Sequence, residues 1–226
     1  MLDNWLDKTK LKKSLERFIK KVLVGKLSAD SLTLLGLLFG LISALCIFLS
    51  KILNPEFVLI MFALIFMLIS FIFDAFDGIV ARLEESTIFG GILDMFSDRS
   101  VEVILIISLI STDPVILMWP GIFVLGSIIL CITIFLIIGS AVNKLGTKNL
   151  EENEKLIYYS SGLMERGETF LFLFFITLLI AWRRILMWIF SLLIFITALQ
   201  RFYTAYQLFY KKDNNNSAEY TNSIRK

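Results

Sequence analysis

Apolar positions run almost unbroken through six stretches of this chain, at about 32–50, 57–76, 92–111, 118–141, 167–182 and 184–208. A hydrocarbon core about 30 Å thick needs about 20 apolar residues at 1.5 Å rise per residue, so the six stretches predict six membrane-spanning helices. The hairpin linkers at 51–56 and 112–114 are short. Pro120 falls in the first turn of the fourth helix, where its missing N–H costs little, and Val115 to Trp119 before it suit the interface. Residues 1–27 follow a different pattern: Leu11, Leu15, Phe18, Ile19 and Val22 recur at helical spacing among Lys8, Lys12, Arg17 and Lys20. This predicts a basic amphipathic helix on an anionic leaflet, a solvated leader being the plainer alternative. The polar, Asn-rich residues 211–226 predict a disordered tail. The expected fold class is therefore all-α integral membrane, with six transmembrane helices over 28–210 preceded by a basic amphipathic juxtamembrane helix over 1–27.

Composition agrees with the pattern, because 57% of residues are hydrophobic and the mean hydropathy is +0.79, far beyond what a soluble core needs. The net charge of +2 gives no reason to expect nucleic acid, but its placement is informative. With the N-terminus inside, the expected topology leaves only Lys51, Arg183 and Arg184 of the 22 Lys and Arg outside. Positive charge is retained on the cytoplasmic side, so both termini are expected there. The Lys-, Ile- and Asn-rich composition, with no signal-peptide pattern at the start, leans toward a bacterial cytoplasmic membrane. Cys46 and Cys131 lie inside apolar runs and suggest neither a disulfide framework nor a metal site.

Charges appear where the apolar pattern should exclude them, in FIFDAFDGIVARLEESTIFGGILDMFSDRS at 71–100. An Asp near membrane depth costs a few kcal/mol unless it faces a polar cavity or a partner. At 3.6 residues per turn Asp74, Asp77, Gly78, Ala81 and Arg82 share one helix face, as do Gly90, Asp94 and Asp98. Two helices joined by a short turn run antiparallel, so their polar ends can aim four carboxylates at one space. Two hard divalent ions, Mg²⁺ or Mn²⁺, would offset that repulsion and suit a diphosphate. Gly78 and Gly90 would bare the backbone for a base or phosphate, or simply let helices pack closely. Arg82 would hold a phosphate or neutralise an acid, the two readings standing level.

The run resembles the signature of the CDP-alcohol phosphotransferase (phosphatidyltransferase) family, D-x-x-D-G-x-x-A-R, a spacer, then G-x-x-x-D-x-x-x-D, and every fixed residue is present. The spacer between Arg82 and Gly90 holds seven residues, one fewer than is usual in the family. Ser28-Ala29-Asp30-Ser31-Leu32-Thr33 is similar to the Thr-Pro-Asn-x-x-Thr that often opens the family's first span, with Ala29 and Asp30 departing from it. The resemblance implies that an alcohol attacks the β-phosphate of a CDP-linked lipid and releases CMP. It implies Asp74, Asp77 and Asp94 as core ligands of two metal ions, and Asp98 as general base that also touches metal. Gly78, Ala81, Arg82 and Gly90 would receive the CDP moiety, and a homodimer is expected by the same resemblance.

Glu165, Arg166 and Glu168 form a second polar cluster at the start of the fifth span, suited either to the acceptor alcohol or to an ordinary helix start. Arg99 would read an acceptor phosphate or pair with an acid. Glycerol 3-phosphate, inositol phosphate, serine, a second lipid or another polyol would each need differently placed basic and polar groups, and Arg99, Glu165 and Arg166 do not separate them. The principal non-enzyme alternative is a divalent-cation carrier, which predicts acids near mid-bilayer and broken helices in both halves of the chain.

Overall fold

The computed structural model describes residues 27–83, 87–144 and 166–224, with Ile19 and Met164. Its described α-helices are α1 (Ala29–Leu49), α2 (Glu56–Leu83), α3 (Ile88–Thr112), α4 (Pro114–Lys144), α5 (Arg166–Leu178) and α6 (Arg183–Ile224). A 3₁₀ turn, Ile180–Trp182, joins the last two, and no strand occurs among the described residues. Side-chain caps fix two of the starts. The Ser28 hydroxyl accepts from Ser31 N–H at 3.3 Å to open α1, and the Thr87 hydroxyl accepts from Gly90 N–H at 2.9 Å to open α3.

Helices α1, α2, α4 up to Ala141, and the segment Ile180–Gln207 are long and apolar enough to cross a membrane. Six crossings were expected, and two of the predicted stretches do not reach that standard. Helix α3 has 25 residues but carries Asp94, Asp98, Arg99 and Glu102. Helix α5 has only 13 residues, about 20 Å of helix, and the chain leaves helical geometry at Leu179. Leu34, Leu38, Phe62, Ile65 and Trp119 in one part of the chain and Ile129 in another are exposed apolar side chains, which suits lipid and not water. This is an integral membrane protein. At the C-terminal end α6 is described as far as Ile224. No Gly or Pro follows Gly167, so nothing in the sequence interrupts that helix. The amphipathic leader lies outside the described residues except for Ile19, which is buried against Leu32, Ile79 and Val80.

The chain packs as two compact units, Met1–Ile122 with Arg166–Trp188, and Phe123–Glu165 with Ile189–Lys226. In the second, Arg201 reaches the Cys131 sulfur at 3.2 Å and lies over the Phe135 ring at 5.3 Å. Cys46 and Cys131 are free thiols, as their apolar settings suggest.

In the first unit α1 and α2 are tied by three polar rungs in antiparallel register. Ser43 donates to the Ala63 carbonyl at 2.7 Å, Ser70 to the Gly36 carbonyl at 2.7 Å, and Thr33 to the Asp77 carboxylate at 2.6 Å. Hydrogen bonds between membrane helices contribute about 0.6 kcal/mol each on average, so the ladder fixes register more than it supplies stability. Gly36 and Gly40 supply the close approach. A Cβ on Gly36 would touch the Ser70 carbonyl at 3.4 Å, and one on Gly40 would meet Val101 of α3 at 2.5 Å. At the opposite end from Asp77, the buried Arg183 donates to the Ile176 and Thr177 carbonyls at 3.2 and 3.1 Å and to the Thr112 hydroxyl at 3.2 Å. One guanidinium thus closes the end of α5 and joins it to the end of α3.

Candidate active site

The ladder between α1 and α2 ends at the functional residues. Asp74 and Asp77 occupy successive turns of α2, and Thr87 starts α3 so that Gly90, Asp94 and Asp98 follow at one-turn intervals. One carboxylate oxygen from each of Asp74, Asp94 and Asp98 lies within 4.8 Å of the other two. The fourth expected ligand, Asp77, is not in this group of three. It is 4% exposed and accepts the Thr33 hydroxyl, which fixes its orientation from α1.

Arg166, the first residue of α5, ion-pairs with Asp74 and Asp98 and reaches Asp94 at 3.4 Å. The sequence left Arg166 between acceptor binding and an ordinary helix start; the structure instead places it among the carboxylates, where it offsets their mutual repulsion. Arg99 pairs with Glu102 on its own helix at 2.6 Å, the plainer of its two expected roles. Glu165 lies outside the described residues, and Glu168 is half-buried in the first turn of α5.

Two cavities adjoin the carboxylates. The first, of about 320 Å³, is walled by Gly78, Ala81, Gly90, Gly91, Asp30 and Asp94, among others. Three of the four residues expected at the CDP moiety therefore share one cavity. Arg82, the fourth, is exposed in the last turn of α2 and lines neither cavity. The two glycines differ in what they do. A Cβ on Gly78 would meet nothing within 4 Å, so close helix packing does not explain it and cavity space does. A Cβ on Gly90 would crowd the Asp30 carboxylate at 2.8 Å and the Thr87 cap at 2.9 Å, so glycine there accommodates the start of α1 as well as the cap.

The second cavity runs from Asp74, Asp98 and Arg166 toward apolar residues such as Leu37, Met67 and Leu105. Thr33 and Asp77 belong to the walls of both cavities. Thr33 is the residue whose part the sequence conveyed least, since its partner is 44 positions away. The donor set fits a hard divalent cation, being several carboxylate oxygens with acid side chains from two helices.

No curated protein gives a match to this sequence. The chain does match a family model described as CDP-alcohol phosphatidyltransferase over residues 26–197, a span that takes in α1, the paired aspartates of α2 and α3, and Arg166. The chain belongs to the CDP-alcohol phosphatidyltransferase family.

Proposed function

We propose that this protein transfers a phosphatidyl group from a CDP-linked lipid, such as CDP-diacylglycerol, to a small polar alcohol and releases CMP. The observation that carries the proposal is the convergence of Asp74, Asp94 and Asp98 beside two cavities with a shared wall. The alcohol oxygen bonds to the β-phosphorus as the bond from that phosphorus to the CMP oxygen breaks, and CMP leaves with the electron pair. Asp98 takes the alcohol proton, since it lines the cavity on the Arg166 side and its side chain is only 14% exposed. Asp74, Asp94 and Asp98, with Asp77 steadied by Thr33, would hold two divalent ions, Mg²⁺ or Mn²⁺. Bound there, the ions would supply positive charge against the diphosphate and the departing CMP. Gly78, Ala81 and Gly90 leave room for the CDP moiety, with Arg82 one residue beyond Ala81. The charge asymmetry of the loops supports a cytoplasmic site, with both termini on that side of a bacterial cytoplasmic membrane, and the family supports a homodimer.

The test is CMP release by the purified chain in nanodiscs, given CDP-diacylglycerol, Mg²⁺ or Mn²⁺, and a panel of alcohols. Release that needs one acceptor and stops on chelation with EDTA is the expected result. Metal flux in liposomes without CMP release would replace the transferase with a cation carrier. A second expectation concerns Thr33, which acts through Asp77. Thr33→Val keeps the shape and removes the hydroxyl, so CMP release should fall about 10–100-fold, with a higher metal concentration needed for half-maximal rate. An unchanged metal requirement would show that Asp77 does not depend on this hydrogen bond.

A further inference from the structure

Positive charge is scarce at one end of this helix bundle. Of the 22 Lys and Arg, the expected topology leaves only Lys51, Arg183 and Arg184 on the side away from both termini, and all three line one cavity of about 240 Å³. Lys51 comes from the linker after α1, Arg183 and Arg184 from the start of α6. Glu56 lines the same cavity, and from Glu56 to Asp77 along α2 is about 30 Å of helix, the thickness of a hydrocarbon core. The cavity and the aspartates therefore stand at opposite faces of the bilayer.

Several polar groups here hold the cavity together. Arg183, 5% exposed, donates to two carbonyls at the end of α5 and to the Thr112 hydroxyl. Thr112 donates in turn to the Leu109 carbonyl at 2.7 Å, and Asp113 Oδ1 accepts the Ile116 N–H at 3.3 Å at the start of α4. Lys51 and Arg184 are different. Both are exposed, and among the described residues neither side chain has an ion-pair or hydrogen-bond partner. Snorkelling would carry each toward headgroups separately, but it does not account for their meeting at a cavity walled by a buried guanidinium.

Three cations against the acids Glu56 and Asp113 leave a surplus of one positive charge, the amount that one phosphodiester balances. The surroundings point to the source of that phosphate. Ile52, Val115 and Trp182, each adjacent in sequence to a lining residue, are exposed apolar side chains. Exposed apolar groups and a tryptophan beside cationic heads match the level where acyl chains meet headgroups. A soluble anion gains nothing from that apolar rim, whereas a phospholipid uses the rim and the charge together.

We infer that Lys51, Arg183 and Arg184 form a binding site for the phosphodiester of one phospholipid in the leaflet opposite the aspartates. Lys51 and Arg184 supply its contacts, and Arg183 is the positive wall behind them.

The test is native mass spectrometry of the full chain in detergent, titrated with phosphatidylglycerol. EDTA is present, so that metal-assisted binding at the aspartates does not contribute. One saturable lipid should bind, and Lys51→Gln/Arg184→Gln should weaken it by about 10–30-fold. The double variant Lys51→Arg/Arg184→Lys keeps both charges and should hold the lipid within about threefold of wild type. Since neither side chain has a partner in the protein, the lipid-free glutamine variant should melt at the wild-type temperature. Equal binding by the glutamine variant, diacylglycerol binding as tightly as phosphatidylglycerol, or a lower melting temperature without lipid would each overturn the inference. Inorganic phosphate that raises the melting temperature as much as phosphatidylglycerol, and loses that effect in the glutamine variant, would overturn the lipid as ligand. None of these readouts uses CMP release, so loss of the transferase reading would leave this inference standing.

Discussion

Asp98→Asn should lower kcat for CMP release by about 10²–10⁴-fold, the usual contribution of a positioned general base. The substitution changes little else: asparagine has nearly the same size and keeps one oxygen. Arg166 retains its ion pairs with Asp74 and Asp94, so the cluster does not lose its counter-charge. The loss should therefore appear in kcat, with the melting temperature in detergent and the donor KM close to wild type. Direct titration with Mn²⁺, followed by its electron paramagnetic resonance signal, separates the two roles of Asp98. Retained Mn²⁺ binding with lost turnover identifies the base. Loss of both would make Asp98 a metal ligand first, and turnover within about tenfold of wild type would place the base elsewhere.

Gly40→Leu should cost stability and activity together. Even the first added carbon would stand 2.5 and 2.8 Å from the two Val101 methyls and 3.1 Å from the Ser70 hydroxyl. Overpacking a well-filled site costs about 1–3 kcal/mol, and each kcal/mol moves the melting midpoint of a chain this size by about 2–4 °C. The contact is shared by three helices, because Gly40 is on α1, Ser70 on α2 and Val101 on α3. Val101 also lines the cavity with Asp98, so α3 cannot shift away from leucine without shifting Asp98. Shaving the opposing side chain in Gly40→Leu/Val101→Ala should restore part of the lost stability. A double variant no better than the sum of its singles would show that the two positions are not coupled.

The apolar runs made the six helices legible, because a lipid-facing helix must be apolar along its length whatever its neighbours are. The same feature hid where α5 ends. The run Thr177 to Trp182 is apolar apart from Thr177, and the break at Leu179 depends on Arg183 folding back onto the Ile176 and Thr177 carbonyls, which hydropathy does not register. The aspartates were legible because their three- and four-residue steps encode one helix face. What escaped were partners distant in sequence: Thr33 for Asp77, Arg166 for the three carboxylates, and Val101 for Gly40. Glu102, the partner of Arg99, was within reach, being one further turn beyond Asp98 and an acid inside an apolar stretch.

Thr33 and Asp77 stand in the walls of both cavities and touch each other there through one hydroxyl. These two side chains are therefore a wall common to both chambers. Two substrates lodged on its two sides would be near neighbours without either having to cross, so direct transfer within a ternary complex needs no parked intermediate on the protein and no moving gate between the chambers.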